Sequence, residues 1–126
     1  MRQGLWFGGG MAVAGFCAGL AVAAATQATE RVQLLDNAHA RVWRRTIAPG
    51  GDVAQHRHDH PRIVIPLSGG TMVFTDSDGA VSTQQWQAGK AYWLPAQAPG
   101  TTHAEANRGA APIDLVAVEL LDVGPD

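Results

Sequence analysis

Three of the five histidines in this chain carry the spacing of metal ligands. His56 and His58 lie two residues apart, and His103 lies far downstream in a second segment punctuated by glycine and proline. Imidazole nitrogens bind divalent first-row ions well. In an extended strand the side chains alternate between faces, so His56 and His58 share a face if residues 55–59 are extended. His103, arriving on another strand, then closes a triangle around one ion. The pattern identifies a site more firmly than it identifies a reaction.

The elements that must position these rings read as strands. Val32–Leu35, Ala40–Ala48, Ile63–Leu67, Thr71–Thr75, Val81–Gln87, Ala91–Leu94, Thr101–Ala106 and Ile113–Leu121 alternate with period two and are rich in Val, Ile, Thr, Trp and Tyr. Turn signals separate them, among them Pro49-Gly50-Gly51, Ser68-Gly69-Gly70, Asp78-Gly79, Ala88-Gly89 and Pro99-Gly100. No amphipathic helix, internal linker or low-complexity tract interrupts this series. Short strands at such regular spacing predict an all-β sandwich or barrel.

The first residues are of another kind. Met1-Arg2-Gln3 is a short cationic start, Gly4 to Ala25 is uncharged and rich in Gly and Ala, and Ala21, Ala23, Ala25 and Ala28 offer A-x-A-like cleavage frames. This predicts a signal peptide over residues 1–25, cleaved between about 23 and 28, and hence a periplasmic or secreted protein. An uncleaved membrane anchor is the alternative reading, because the apolar run approaches the roughly 20 residues that span a bilayer. Only in that case is a membrane a partner. Cys17 invites a lipoprotein reading, but Phe16 is too bulky for the position before a lipidated cysteine.

The remainder, residues 29–126, is one domain of roughly 100 residues, enough for a single core. Cys17 is the only cysteine, so the mature chain is expected to have no disulfide and to rely on apolar packing together with any bound metal. Without Arg2 it carries eight Lys and Arg against eleven Asp and Glu, a net charge of −3 with neutral histidines. That mild acidity provides neither a nucleic-acid patch nor a polybasic membrane surface. A small molecule is the expected ligand. The apolar outer strands permit a homodimer.

Two tracts carry a family resemblance. Gly50 through His58, continuing through Arg62 to Gly69, resembles the first cupin motif: a glycine, five residues, H-x-H, then a glutamate and a closing glycine. Gly89, Pro95, Gly100, His103 and Asn107 resemble the second motif, with three extra residues between the proline and its following glycine. Arg41-Val42-Trp43-Arg44, His56-Arg57-His58-Asp59-His60 and Val116-Ala117-Val118-Glu119-Leu120 resemble small single-domain bacterial cupins, some of which are associated with β-alanine breakdown. The resemblance implies a jelly-roll, or double-stranded β-helix, barrel holding one divalent ion such as Fe, Mn or Zn. It covers residues 50–107 directly, and the flanking strands extend it from Val32 to Leu121.

The departure from the motif matters as much as the match. Arg62 stands where the first motif places its glutamate ligand, and a guanidinium has no lone pair for a cation. The expected fourth protein ligand is therefore missing, and three readings follow. In the first, His56, His58 and His103 form an open three-histidine face, and Arg62 near the mouth clasps a substrate carboxylate. In the second, His60 joins as a fourth ligand, although Pro61 disfavours regular structure there. In the third, the histidines are hydrogen-bonded barrel residues that retain no metal, and Arg62 forms a salt bridge.

Other residues are weighed in the same way. Tyr92 shares the parity of Leu94, so its hydroxyl is expected to face the cavity and orient a ligand. Glu119 either points inward and orients a ligating imidazole or faces solvent. Asn107 reads as a turn residue and His39 as solvent-facing. Trp43, Trp86 and Trp93 read as core or rim packing, while Arg41, Arg44 and Arg45 read as a charged strand face. Two functions remain: a metal-dependent enzyme of dioxygenase type acting on a small carboxylate, with Arg62 and Tyr92 beside the metal, or a noncatalytic metal- or ligand-binding module.

Overall fold

The computed structural model describes residues 29–123. The expected signal segment and its cleavage frames lie outside the described residues. Nine strands and no helix make up the described chain: β1 (Glu30–Asp36), β2 (Ala40–Ile47), β3 (Asp52–His56), β4 (Arg62–Pro66), β5 (Gly70–Asp76), β6 (Val81–Trp86), β7 (Tyr92–Leu94), β8 (His103–Asn107) and β9 (Ile113–Leu120). All pairings are antiparallel. They build a five-stranded sheet, β1-β2-β9-β4-β7, and a four-stranded sheet, β3-β8-β5-β6. This is the all-β double-stranded β-helix that the alternation and the motif resemblance predicted.

The two sheets face each other across one core. Trp43, Ile47, Val53, Val64, Met72, Trp86, Ile113, Leu115 and Ala117 form it, with Phe74, Tyr92 and Leu94 packed against it. Alternation explains the membership: along β9 the residues Ile113, Leu115, Ala117 and Glu119 are buried, while those between them are not. Each large apolar side chain so buried contributes about 1.5–3 kcal/mol. Trp43 and Trp86 are core residues, whereas Trp93 is 47% exposed on the other face of its strand.

That outer face is apolar as well. Leu35, Val42, Val118, Ile63 and Trp93 stand in register across all five strands of the larger sheet.

Two details bear on the site. Gly50 adopts φ 71°, a left-handed conformation that favours glycine. It reverses the chain after β2, and Gly51 N–H closes the turn on the carbonyl of Ala48 at 2.8 Å. Asn107 is the last residue of β8 rather than a turn residue and is fully buried. Its Nδ2 donates to the carbonyls of Ile47 (3.0 Å) and Ala111 (2.8 Å), and its Oδ1 accepts from Gly109 N–H (3.0 Å).

Candidate metal centre

His56 ends β3, an edge strand, and stands directly opposite His103 at the start of β8. Cross-strand neighbours place their side chains within contact distance. Here the ring centroids are 4.7 Å apart and the two Nε2 atoms 3.1 Å apart. The other nitrogen of His56, Nδ1, donates to the carbonyl of Ala54 at 2.7 Å. That bond leaves the Nε2 lone pair pointing at the centre, the tautomer a metal ligand requires.

His58 arrives differently from the way the sequence predicted. The extended segment over residues 55–59 stops at His56, after an irregularity between Val53 and His56, and His58 lies in the loop toward β4. Side-chain and backbone bonds hold that loop. His58 N–H donates to Gln97 Oε1 at 2.7 Å, Gln97 N–H donates to the His58 carbonyl at 2.9 Å, and Arg57 donates to the carbonyls of Ala98 and Thr101 at 2.6 and 2.9 Å. His58 is thereby buried, its ring 4.7 Å from that of His56 and parallel to Trp43 at 6.2 Å. Burial, then the charges of Arg62 and His56, depress its pKa to about 2. The ring is neutral, and its buried Nε2 has no hydrogen-bond partner among the described residues.

The fourth donor is one the sequence reading missed. Glu105 lies two residues beyond His103 on β8, so both project to the same face. Its Oε1 is 3.2 Å from His103 Nε2 and 3.5 Å from His56 Nε2, and its side chain is only 12% exposed. Burial alone would raise its pKa. The hydrogen bonds and charges of His103 and His56 outweigh burial and hold the carboxyl well below the ordinary range.

The ligand atoms of His56, His58, His103 and Glu105 all lie within 4.8 Å of one another. Metal–nitrogen bonds of roughly 2 Å span such a group with small adjustments. The expectation of a set without an acidic ligand is thus corrected: the second motif's strand brings a carboxylate into the donor group, while Arg62 stands at the glutamate position of the first. The parity of His103 and Glu105 within the expected strand Thr101–Ala106 was the available signal. Three imidazoles and one carboxylate, with an orphaned nitrogen among them, fit a divalent ion such as Fe, Mn or Zn.

Arg62 lies inside rather than at the mouth, because alternation along β4 turns it inward with Val64 and Pro66. It is 5% exposed and its Nε has no hydrogen-bond partner among the described residues. Burial lowers its pKa to about 10 against the opposing influence of Glu105 and Glu119. It lines an inner cavity of about 30 Å³ together with His56, His58 and Glu105. A second cavity, of about 220 Å³, opens on its other side beside His103 and Gln97. No carboxylate lies within ion-pair distance of Arg62 among the described residues, so the salt bridge of the third reading is absent there.

The remaining candidates fall outside the donor group. His60 lines an outer cleft and is not a member, since the chain turns at the buried Pro61. Tyr92 packs edge-on against Trp86 at 5.0 Å, and its hydroxyl accepts the Gln87 N–H at 3.0 Å. Its inward parity holds, but the hydroxyl closes the β6–β7 turn instead of orienting a ligand. Glu119 is buried and lies 3.8 Å from Arg41, opposite Arg41 on one side and Arg62 on the other. It pairs with the Arg41 guanidinium, and no bond to an imidazole is present among the described residues. His39 is exposed and bonds Asp122.

Arg41, Arg44 and Arg45 do not form one charged face. Arg44 points outward onto Asp114, whereas Arg41 and Arg45 share the inward parity of Trp43 and line the outer cleft, of about 440 Å³.

Two antiparallel sheets closed around a His/Glu cluster define a small single-domain cupin. The sequence matches no family model. Among solved structures, a cupin domain from Bordetella pertussis Tohama I superposes with a TM-score of 0.65 at 25% identity, covering 73% of this chain and 92% of that one. A protein from Thermotoga maritima described as a predicted oxalate decarboxylase superposes at 0.54 and 26% identity, covering 74% and 80%. The chain is 34% identical over 94 residues to the β-alanine degradation protein BauB of Pseudomonas aeruginosa, covering 75% of this chain and 94% of that protein, and it belongs to that cupin family.

Proposed function

We propose that the protein is a metal-dependent enzyme of dioxygenase type that acts on a small carboxylate-bearing molecule. One observation carries this reading: a buried four-donor group shares its cavity with Arg62, a buried guanidinium whose Nε is unpaired. A divalent ion held by His56, His58, His103 and Glu105 supplies Lewis-acid polarisation and, if it is iron or manganese, redox chemistry with dioxygen. Arg62 holds the substrate carboxylate through charge-assisted bonds, which are stronger in a water-poor cavity than at a surface. The Nδ1–H of His56 on Ala54 keeps that ring oriented throughout. The names of two relatives, a β-alanine degradation protein and a predicted oxalate decarboxylase, both concern small carboxylates and support the substrate class. The composition of residues 1–25 supports placing the reaction in the periplasm or outside the cell.

Metal analysis joined to oxygen consumption tests the proposal. Protein purified from its native compartment should carry one iron or manganese per chain, take up oxygen with a panel of small carboxylates, and lose the metal in His56→Ala. Full occupancy by zinc with no oxygen uptake overturns the enzyme reading in favour of a noncatalytic binding module. Arg62→Gln should retain the metal and weaken anion binding. Loss of metal in that variant assigns Arg62 to the scaffold instead.

A further inference from the structure

The inner cavity is too small for an organic acid. At about 30 Å³ it has room for an ion or a water molecule, so the body of any substrate must extend into a larger space. The outer cleft on the His56 and His58 side, about 440 Å³, is within the range of small-molecule sites. Its wall carries four arginines, two of which, Arg41 and Arg57, are ion-paired. Of the acids that line it, Asp59 is paired with Arg57 and Glu119 lies against Arg41. Arg31 and Arg45 make no hydrogen bond or ion pair among the described residues.

These two arginines are also direct cross-strand partners in the β1–β2 pair. Like charges placed opposite each other in a sheet are destabilising. Burial, and next the charge of Arg45, lower the pKa of Arg31 against the opposing charge of Glu119. Solubility does not account for the arrangement, since Arg45 also lines the inner cavity and Arg31 lies over the Trp43 ring at 4.1 Å. An anion between the two guanidinium groups relieves the repulsion and uses their donors.

We infer that Arg31 and Arg45, with Arg41 at the rim, form a second anion-binding site in the outer cleft. Resting on the function proposed above, this means that the substrate carries two anionic groups, one held by Arg62 and a distal carboxylate or phosphate held by the arginine pair. The molecule is then a short dicarboxylate or a phosphorylated carboxylate lying across the mouth of the donor group.

Calorimetric titration of the purified, metal-loaded chain tests the assignment, with propionate, the dicarboxylates from malonate to adipate, and 3-phosphonopropionate as probes. At least one dicarboxylate should bind about ten-fold more tightly than propionate, the scale expected for added charge-assisted bonds. That ratio should collapse in R45Q and fall in R31Q. A larger advantage for 3-phosphonopropionate assigns the distal group as phosphate. R31Q, on an exposed edge strand, supplies the readout if R45Q does not fold. Dicarboxylates that bind no better than propionate or not at all, or a ratio that survives both variants, overturn the inference. R62Q reads the other site: propionate binding unaffected by it removes the Arg62 clamp of the proposed function and leaves the ratio to judge the outer site.

Discussion

The two sheets bring opposite chemistry to one interior. The four-stranded sheet supplies electron pairs through His56 on β3 and His103 and Glu105 on β8, while the five-stranded sheet supplies cations, Arg62 and Arg45 at the inner cavity and Arg31 and Arg41 around the outer cleft. Their bracing differs as well. The donor side is held by its own chain, His56 by the Ala54 carbonyl and the His58 loop by Gln97. On the cation side, Arg62 Nε has no partner and Arg45 makes no ion pair among the described residues. Orientation by neighbouring hydrogen bonds is what a metal ligand set requires. Unsatisfied guanidinium donors facing a cavity are what recognition of an anion requires.

Substitution on one sheet at a time separates the two regions. Glu105→Gln should weaken metal binding by more than about 100-fold, because even partners that only orient ligands contribute 10–100-fold. Competition with a chelating dye measures this. Arg45→Gln, on the opposite sheet, should leave metal affinity unchanged, and a comparable loss there would break the division.

Asn107 ties the sheets together through the Ile47 carbonyl on β2 and the 108–111 turn. Asn107→Ala removes three hydrogen bonds from a fully buried position and should cost about 3 kcal/mol, at roughly 1 kcal/mol for each bond. Urea unfolding would show it as a lowered midpoint with an unchanged slope.

Acid should act through the donor side. In metal-free protein the pKa of His58 lies below its unfolded value, so the unfolded state binds the proton first. The stability due to a neutral His58 is therefore complete above pH 6.5 and is lost as pH falls from there toward 2. Between about pH 6 and 5 the slope should approach one proton, about 1.4 kcal/mol per pH unit. Urea titrations at each pH should show that slope flatten in His58→Asn. Glu105, whose carboxyl pKa is also depressed, adds to the loss below pH 4.5.

The smallest effect is expected at Arg44, which shares a strand with Arg45 but faces solvent. Arg44→Ala removes an exposed pair with Asp114 and should leave both the melting temperature and anion binding at wild-type values. A loss of anion binding in Arg44→Ala would show that overall charge, rather than the inward-facing arginines, governs recognition.

Much of this was legible in the chain itself. Alternation with turn signals marked out eight strand tracts, and the cupin motif resemblance named the three histidines that now stand together. β3 was not among those tracts, since only its last two residues fell in the segment expected to be extended. Glu105 was legible as well, sharing parity with His103, but attention to the first motif's glutamate position led away from it. Tyr92 shows the limit of parity: its face was right, yet the Gln87 N–H fixes where the hydroxyl goes.

Parity is a property of the local backbone, fixed by the direction in which successive side chains leave a pleated strand, and the sequence by itself determined it. Which parity faces the interior depends on how the sheets close. Arg41, Arg44 and Arg45 look alike along β2, and only packing against β9 and β1 sends two of them inward. His56 and His103 are 47 residues apart, and their contact exists because β3 pairs with β8. His58 follows no strand rule at all and is carried to the centre by the bonds of a loop to Gln97. Those contacts are non-local, so the tertiary structure alone decided which alternating residues became a donor group and which became its cationic wall.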